Sequence, residues 1–242
     1  MRPMILAAVL SLFTTGTAWG EPSKDAEKAW TFELQFASYR PRIDSQFESQ
    51  SNSLSAPYET AFGTGGDLMF TFAFERHILM PFGSLSAGFS LGYWNVEGES
   101  VAASSASSSD AADTTEMSIF PLFMQATYRL DEWVDIVPIA PVVRIGLDYY
   151  MWRVYDGGGD VAQFGPGQDA EGGTWGWHSV VGLHILLDYL AQDMAADFKQ
   201  NAGVHNTYLT IEYRRSQVDD FGSATSFRLG DDTFFIGLAL EL

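Results

Sequence analysis

The sequence predicts an all-β fold: eight antiparallel strands closed into an up-and-down transmembrane β-barrel, with a short periplasmic helix between strands 6 and 7. Three observations carry this prediction. Apolar and polar side chains alternate with a period of two along eight segments, the pattern of strands that present one face to an apolar medium. Most of these segments run to about 11 to 16 residues against an ordinary mean of about 5 to 6, and a tilted strand needs such a length to cross a bilayer. The joins alternate between long and short, as they do in barrels with short periplasmic turns and long outer loops.

The first segment sets Trp30, Phe32, Leu34 and Phe36 against Thr31, Glu33, Gln35 and Ala37. The second sets Leu68, Phe70, Phe72 and Phe74 against Thr71, Ala73 and Glu75, and the third sets Leu85, Ala87, Phe89, Leu91 and Tyr93 against small residues from Ser84 to Gly92. In the fourth, Glu116 to Leu130, the apolar face is Phe120, Leu122, Met124, Ala126 and Tyr128, opposite Gln125, Thr127 and Arg129. Pro121 is expected near one end of it, where a missing donor matters least. The fifth opposes Ile139, Val143, Ile145, Leu147, Tyr149 and Met151 to Arg144, Gly146 and Asp148. The sixth opposes Trp175, Trp177, Val181, Leu183, Ile185 and Leu187 to His178, Gly182, His184 and Asp188. The seventh is Leu209, Ile211 and Tyr213 against Tyr208, Thr210, Glu212 and Arg214, and the eighth is Phe234, Ile236, Leu238, Leu240 and Leu242 against Thr233, Gly237, Ala239 and Glu241.

Pro41 to Gly65, Glu97 to Thr115, Tyr155 to Gly173 and Gln217 to Gly230 are long joins rich in Gly, Ser, Pro and acid, whereas Leu79 to Gly83 and Asp131 to Val137 are short. Between Leu190 and Gly203, Leu190, Met194 and Phe198 recur at helical spacing and Gly203 offers a stop, which predicts a small amphipathic helix on the periplasmic side. Ala102 to Asp113 is low in complexity and reads as a loop tip.

A base at mid-depth on a lipid face costs on the order of 2 to 4 kcal/mol, and an acid somewhat less. Glu33, Glu75, Arg144, Asp148, Glu212 and Arg214 are therefore assigned to the lumen and the apolar stripes to lipid. Trp30, Trp94, Trp133, Trp152, Trp175 and Trp177 fall near strand ends, where interfacial aromatic girdles sit. A soluble lipocalin-like barrel would turn the alternation inside out and require a charged outer wall.

The 242 residues hold 31 acidic and 13 basic side chains, a formal charge of −18, with no cysteine. Nucleic acid has no electrostatic reason to approach so acidic a chain. Disulfides, thiolate metal sites, a cysteine nucleophile and a lipidated cysteine are excluded. Met1 to Gly20 carries Arg2, an apolar run from Ile5 to Phe13 and small residues at Ala18 and Gly20, the pattern of a secretory signal peptide. The run is too short for a spanning anchor, which takes about 20 residues. The expected organisation is a signal over residues 1–20 and one barrel domain over 21–242.

With these features in place, the mature chain resembles the small bacterial outer-membrane barrels of the OmpW, OmpX and OmpA-barrel type. The most specific element is the end, Gly237-Leu238-Ala239-Leu240-Glu241-Leu242, which is similar to the sorting signal read by the barrel-assembly machinery; Leu242 stands where a terminal Phe is usual. The resemblance implies a Gram-negative outer-membrane location, Gly237, Leu240 and Leu242 as the assembly signal, and outer-membrane lipid and the assembly machinery as partners.

The candidate lumen network is Glu33, Glu75, Arg144, Asp148, His184, Glu212 and Arg214, with Arg144 expected near His184. It reads either as a selective polar path or as charges that neutralise one another, and an eight-stranded interior just wide enough for side chains favours the second. No cofactor or metal is expected: His178 and His184 lie six residues apart on one strand, about 20 Å, and acidic pairs such as Asp156 with Asp160, Asp219 with Asp220 and Asp231 with Asp232 complete no calcium loop. His205-Asn206-Thr207 is superficially like the His-x-Ser pair of lipid A deacylases, but Thr replaces Ser and the site falls on the periplasmic side. The reading is a non-enzymatic barrel with a structural or surface-binding role. The alternatives are passage of a small hydrophobic solute through a lateral opening, as the OmpW-like resemblance implies, which calls for an apolar pocket at the extracellular mouth around Tyr39, Trp94, Tyr150 and Trp152, and lipid modification.

Overall fold

The computed structural model describes residues 29–47, 56–80, 82–99, 114–134, 136–165 and 167–242. The expected signal peptide and the tip of the second outer loop lie outside them. Eight strands close into one antiparallel barrel: β1 (Trp30–Tyr39), β2 (Asp67–Met80), β3 (Gly83–Glu99), β4 (Thr114–Arg129), β5 (Ile139–Tyr155), β8 (Glu171–Leu186), β9 (Asn206–Val218) and β10 (Asp232–Glu241). Each pairs with its sequence neighbour in the wall, and β1 also pairs with β10 from Thr31↔Glu241 to Ala37↔Phe235. Closure leaves no edge strand, so the wall's backbone donors and acceptors find partners within it.

The alternation read from the sequence sets the two faces. Every wall strand turns large apolar side chains outward, among them Leu34, Phe72, Leu91, Leu122, Ile145, Val181, Ile211 and Ile236. Ile145 is 63% and Val181 58% exposed, whereas the inward Glu212 and Asp148 are fully buried. Trp30 stacks on Phe74 at 4.5 Å with Arg76 over its ring, and Tyr149 lies 4.7 Å from Trp175.

Four features differ from the sequence reading. Trp94 is fully buried inside the barrel, and Trp152 is half-buried against Phe227 at 4.6 Å, so neither belongs to the outer girdle. Pro121 sits in the middle of β4, not near its end. The β3–β4 ladder skips from Leu91↔Leu122 to Trp94↔Ile119, and the proline ring turns inward against Gly92, where a Cβ would come 2.9 Å from Pro121 Cγ. The missing donor is thus placed at a local break in the ladder.

The third outer join is not all loop: β6 (Gln163–Gly165) and β7 (Gln168–Asp169) form a hairpin that continues the rise of β5 and β8 through Val154 N–H to Ala170 O at 2.9 Å. In the first outer join, a 3-10 turn at Ile43–Gln46 precedes α1 (Pro57–Phe62). Asp44 accepts hydrogen bonds from the Tyr58 and Glu59 backbone N–H groups at 2.7 and 3.1 Å, closing the helix start from a distance in sequence.

The expected helix is α2 (Gln192–Ala202), ended by Gly203 in the left-handed region at φ 71°. Met194 and Phe198 on it are exposed.

Gly237 shows why the final strand needs a glycine. It faces inward between Gln35 and Thr210, and a Cβ there would sit 2.1 Å from the Leu34 carbonyl oxygen. Gly237→Ala is expected to lower the unfolding free energy by about 1 to 3 kcal/mol in a urea titration. Gly165→Ala, whose nearest atom would be Gln168 Oε1 at 3.6 Å, should change it by no more than about 0.5 kcal/mol.

Candidate functional site

The inward side chains sort into three layers along the barrel axis. The layer nearest the termini centres on Arg129 and Glu241, brought together across the interior from β4 and β10. Arg129 also reaches Asp131 at 3.1 Å and lies over the Tyr208 ring at 4.8 Å, while Asn206 donates to Glu241 at 2.6 Å. Thr31 and His77 approach at 2.5 Å beside them. Neither Arg129 nor Glu241 was among the candidate site residues, although strand parity had already turned both inward.

The middle layer is built on Arg144. Its Nη2 donates to Glu33 at 2.7 Å, Nη1 to Glu212 at 2.9 Å and Nε to Thr127 Oγ1 at 2.8 Å, with Glu75 3.7 Å from Nε. These groups come from β5, β1, β9, β4 and β2, so one guanidinium ties five strands across the lumen. The carboxylates are then satisfied further: Glu75 accepts from Gln125 at 2.7 Å and Thr127 at 2.8 Å, and Glu33 from Gln35 at 2.8 Å. His184 Nε2 meets Glu212 at 2.9 Å, so the expected neighbourhood of Arg144 and His184 is realised through a shared carboxylate.

This layer also gathers Glu33, His184 and Glu212, whose ligand atoms fall within 4.8 Å of one another. Residue types and spacing in space suit a cation. Arg144, however, already holds both carboxylates at hydrogen-bond distance, and a metal ion would have to sit against its positive charge. The guanidinium therefore already occupies the place a cation would take between Glu33 and Glu212.

The third layer, toward the loops, has Asp148 and His178 paired at 2.5 Å and Arg214 laid over the faces of Phe123 and Phe235 at 4.7 and 4.1 Å. Arg214 thus takes its stabilisation from ring faces, the arrangement in which a desolvated cation gains most from aromatic quadrupoles. Beyond it the interior turns apolar. Tyr39 meets Trp94 edge-on at 5.2 Å and Tyr150 at 6.4 Å, and these pack with Met69, Met117 and Ile119 from the strands. The loops add to the cluster: Ile43 and Tyr58 come from the first outer join and Leu229 from the fourth. Tyr39 Oη donates to the Leu229 carbonyl. Burial among these groups pushes the Tyr58 phenol well above its ordinary range, and burial likewise raises Asp231 in the fourth join, which accepts the Arg40 backbone N–H.

Tyr39, Trp94 and Tyr150 are thus brought together as a packed plug, with Trp152 packed against its edge. His205, on the terminal side, uses its backbone N–H to bond the Glu241 carbonyl at 2.7 Å, and the neighbouring Asn206 side chain serves the Arg129–Glu241 layer.

Together the wall and its interior define the class of the protein: a small eight-stranded closed barrel with acidic and basic side chains buried in its interior and an apolar exterior. No family model and no curated protein matches the chain. Among solved structures it is similar to Neisserial surface protein A (TM-score 0.44, 10% identity, covering 89% of this chain and 97% of that one). It is also similar to Ail, the attachment invasion locus protein of Yersinia pestis, solved with the heparin analogue sucrose octasulfate (0.41, 9%, 89% and 97%). A third is the outer membrane protein OprG from Pseudomonas aeruginosa (0.42, 8%, 89% and 96%).

Removing the central cation tests what the middle layer does. Arg144→Met strips Glu33 and Glu212 of their shared donor and should destabilise the barrel by about 3 to 5 kcal/mol, read as a lowered urea midpoint. Arg144→Met combined with Glu33→Gln and Glu212→Gln should recover much of that loss, because it removes the stranded charges along with their partner.

Proposed function

We propose that this protein is a bacterial outer-membrane barrel with a structural or surface-binding role, a closed polar lumen and no enzymatic activity. The observation that supports it most is the outer wall. All eight strands expose large apolar side chains there, while Glu33, Glu75, Arg144, Asp148, Glu212 and Arg214 of the same strands are buried inside. Water would penalise such a surface, at roughly 25 cal/mol per Å² of apolar area, whereas hydrocarbon accepts it. No described helix is long and apolar enough to cross a membrane.

Two barriers in series support a closed lumen: the aromatic plug held to the loops and the Arg144 cluster tying five strands. An ion passing through would need to displace both. Passage of a small hydrophobic solute needs an open apolar pocket at the mouth, and the four residues named for it are instead packed side chain to side chain or against the plug's edge. The lipid-modification reading has His205 on the side of the termini, its neighbours engaged in structural hydrogen bonds. Contacts with partners fall to the outer loops, and the last strand's Gly237, Leu240 and Leu242 serve recognition by the barrel-assembly machinery.

Three outcomes are expected. The protein extracted from an outer-membrane fraction should migrate anomalously on gels before boiling and normally after it, and recovery in the soluble fraction would defeat the reading. In planar bilayers it should give no stable conductance of porin size. Ile145→Arg, placed mid-height on the outer face of β5, should destabilise the bilayer-inserted barrel by about 2 to 4 kcal/mol, while leaving it far less affected if the wall faced water.

A further inference from the structure

At the loop end of the barrel, Arg42, Arg215 and Arg228 line one groove of about 330 Å³, together with Ser45, Ser216 and Gln217. They stand out in a chain with 13 basic residues against 31 acidic ones. Arg42 is spoken for by Asp232 at 2.6 Å. The Arg228 guanidinium donates to Ser45, at 3.1 Å to its carbonyl and 3.3 Å to its hydroxyl, while the Arg228 backbone N–H donates to Gln46 Oε1 at 3.2 Å. Among the described residues, neither Arg215 nor Arg228 has a carboxylate partner. The acid in the lining, Asp219, is buried and occupied, accepting from Gly222 N–H at 2.8 Å and Gln217 at 3.1 Å. Two guanidiniums without an ion pair therefore face the same groove, the acid opposite Arg215 across the ladder, Asp232, being held by Arg42.

Their height on the wall says what they meet. The outward cross-strand pairs of β9 and β10 climb from Leu209↔Leu238 through Ile211↔Ile236 to Tyr213↔Phe234, whose rings lie 5.1 Å apart, and the next outward pair is Arg215↔Asp232. Apolar pairs end, an aromatic pair follows, and a cation comes one pleat repeat later, about 7 Å along the strand. In a membrane wall that sequence marks hydrocarbon, interface and headgroup. Arg215 projects sideways from the wall at that last level, so the groove opens toward neighbouring lipids and not only upward to solvent.

We propose that Arg215 and Arg228, with Arg42 at the groove's edge, form a binding site for the phosphate of an anionic lipid headgroup in the outer leaflet. Arginine suits the task, since its planar fork donates two parallel hydrogen bonds to phosphate oxygens and its charge persists at any working pH. The site rests on the membrane reading above.

The test uses the full mature barrel refolded in zwitterionic detergent and titrated with diphosphoryl lipid A, with the same lipid after enzymatic removal of its phosphates, and with inorganic phosphate, bound lipid being counted by native mass spectrometry. The phosphorylated lipid should bind, and Arg215→Gln with Arg228→Gln should weaken it about tenfold or more while heat-modifiable migration is unchanged. Equal binding of the dephosphorylated lipid, or unchanged binding by the double variant, would overturn the site. Inorganic phosphate binding as tightly as the lipid would overturn the lipid assignment and make the groove a soluble-anion site. A wild-type chain that shows no heat-modifiable barrel at all would instead sink the membrane reading, and this site with it.

Discussion

The constraint on which the rest depends is closure of the sheet. β1 holds β2 on one side and β10 on the other, so the wall has no free edge and strand parity has a single meaning all the way round. Once one inward residue is known, the registers assign the others. Thr31 opposite both Glu75 and Glu241 puts all three inside, and Glu33 opposite Ala73 and Ala239 does the same one step along. A slip of one residue at any seam would send Arg144 or Glu212 outward and an Ile or Val inward. The charged interior and the apolar exterior are consequences of the same pairing.

That interior is costly to build, and its composition shows how the cost is contained. Three carboxylates converge on Arg144, and their remaining lone pairs are taken up by Gln35, Gln125, Thr127, Ser86 and His184. A buried ion pair gains little over apolar packing, yet removing one partner is severe. The network therefore acts less as a source of stability than as a lock on which strands may face which. Small residues do the complementary work: Gly88, Gly146 and Gly237 stand opposite longer groups, and a Cβ at Gly146 would come 2.4 Å from the His178 ring. Large charged side chains fit in a narrow barrel because alternate inward positions are left nearly empty.

The strands were legible in the sequence because period-two alternation is local and repeated along each segment. Strand parity also set the lumen charges, and the Arg144, Glu33, Glu75, Glu212 and His184 cluster follows from it. Other features depended on information that the same rule contained but that composition obscured. Trp94 follows Tyr93, already assigned to lipid, so parity alone turned it inward; its place near a strand end and its aromatic type suggested a girdle instead. Glu241 was hidden inside a stretch resembling a sorting signal, and Arg129 at the foot of its strand. Pro121 could not be placed by a rule about ends because Gly92, on another strand, makes room for it. Asp44 as a remote cap for α1 and Leu229 as acceptor for Tyr39 join segments separated in sequence, beyond the reach of a local pattern, whereas the β6–β7 hairpin is local but its strands of three and two residues are too short to show a period.

The two ends of the lumen are closed by different chemistry, and the difference bears on how the barrel can move. Near the termini the contacts are ionic and come almost wholly from wall strands: Arg129 from β4, Glu241 from β10, Asn206 from β9. They are as rigid as the ladder that positions them. At the loop end the plug is apolar, and Ile43, Tyr58 and Leu229 are supplied by joins outside the wall. Loop segments can shift without breaking a ladder hydrogen bond, so any rearrangement of the interior begins there. Even complete withdrawal of those three residues would leave Tyr39, Trp94 and Tyr150 of the wall in place, with Arg214 and the Arg144 cluster beneath them. Loop movement can therefore rearrange the loop end while the Arg144 cluster keeps its partners.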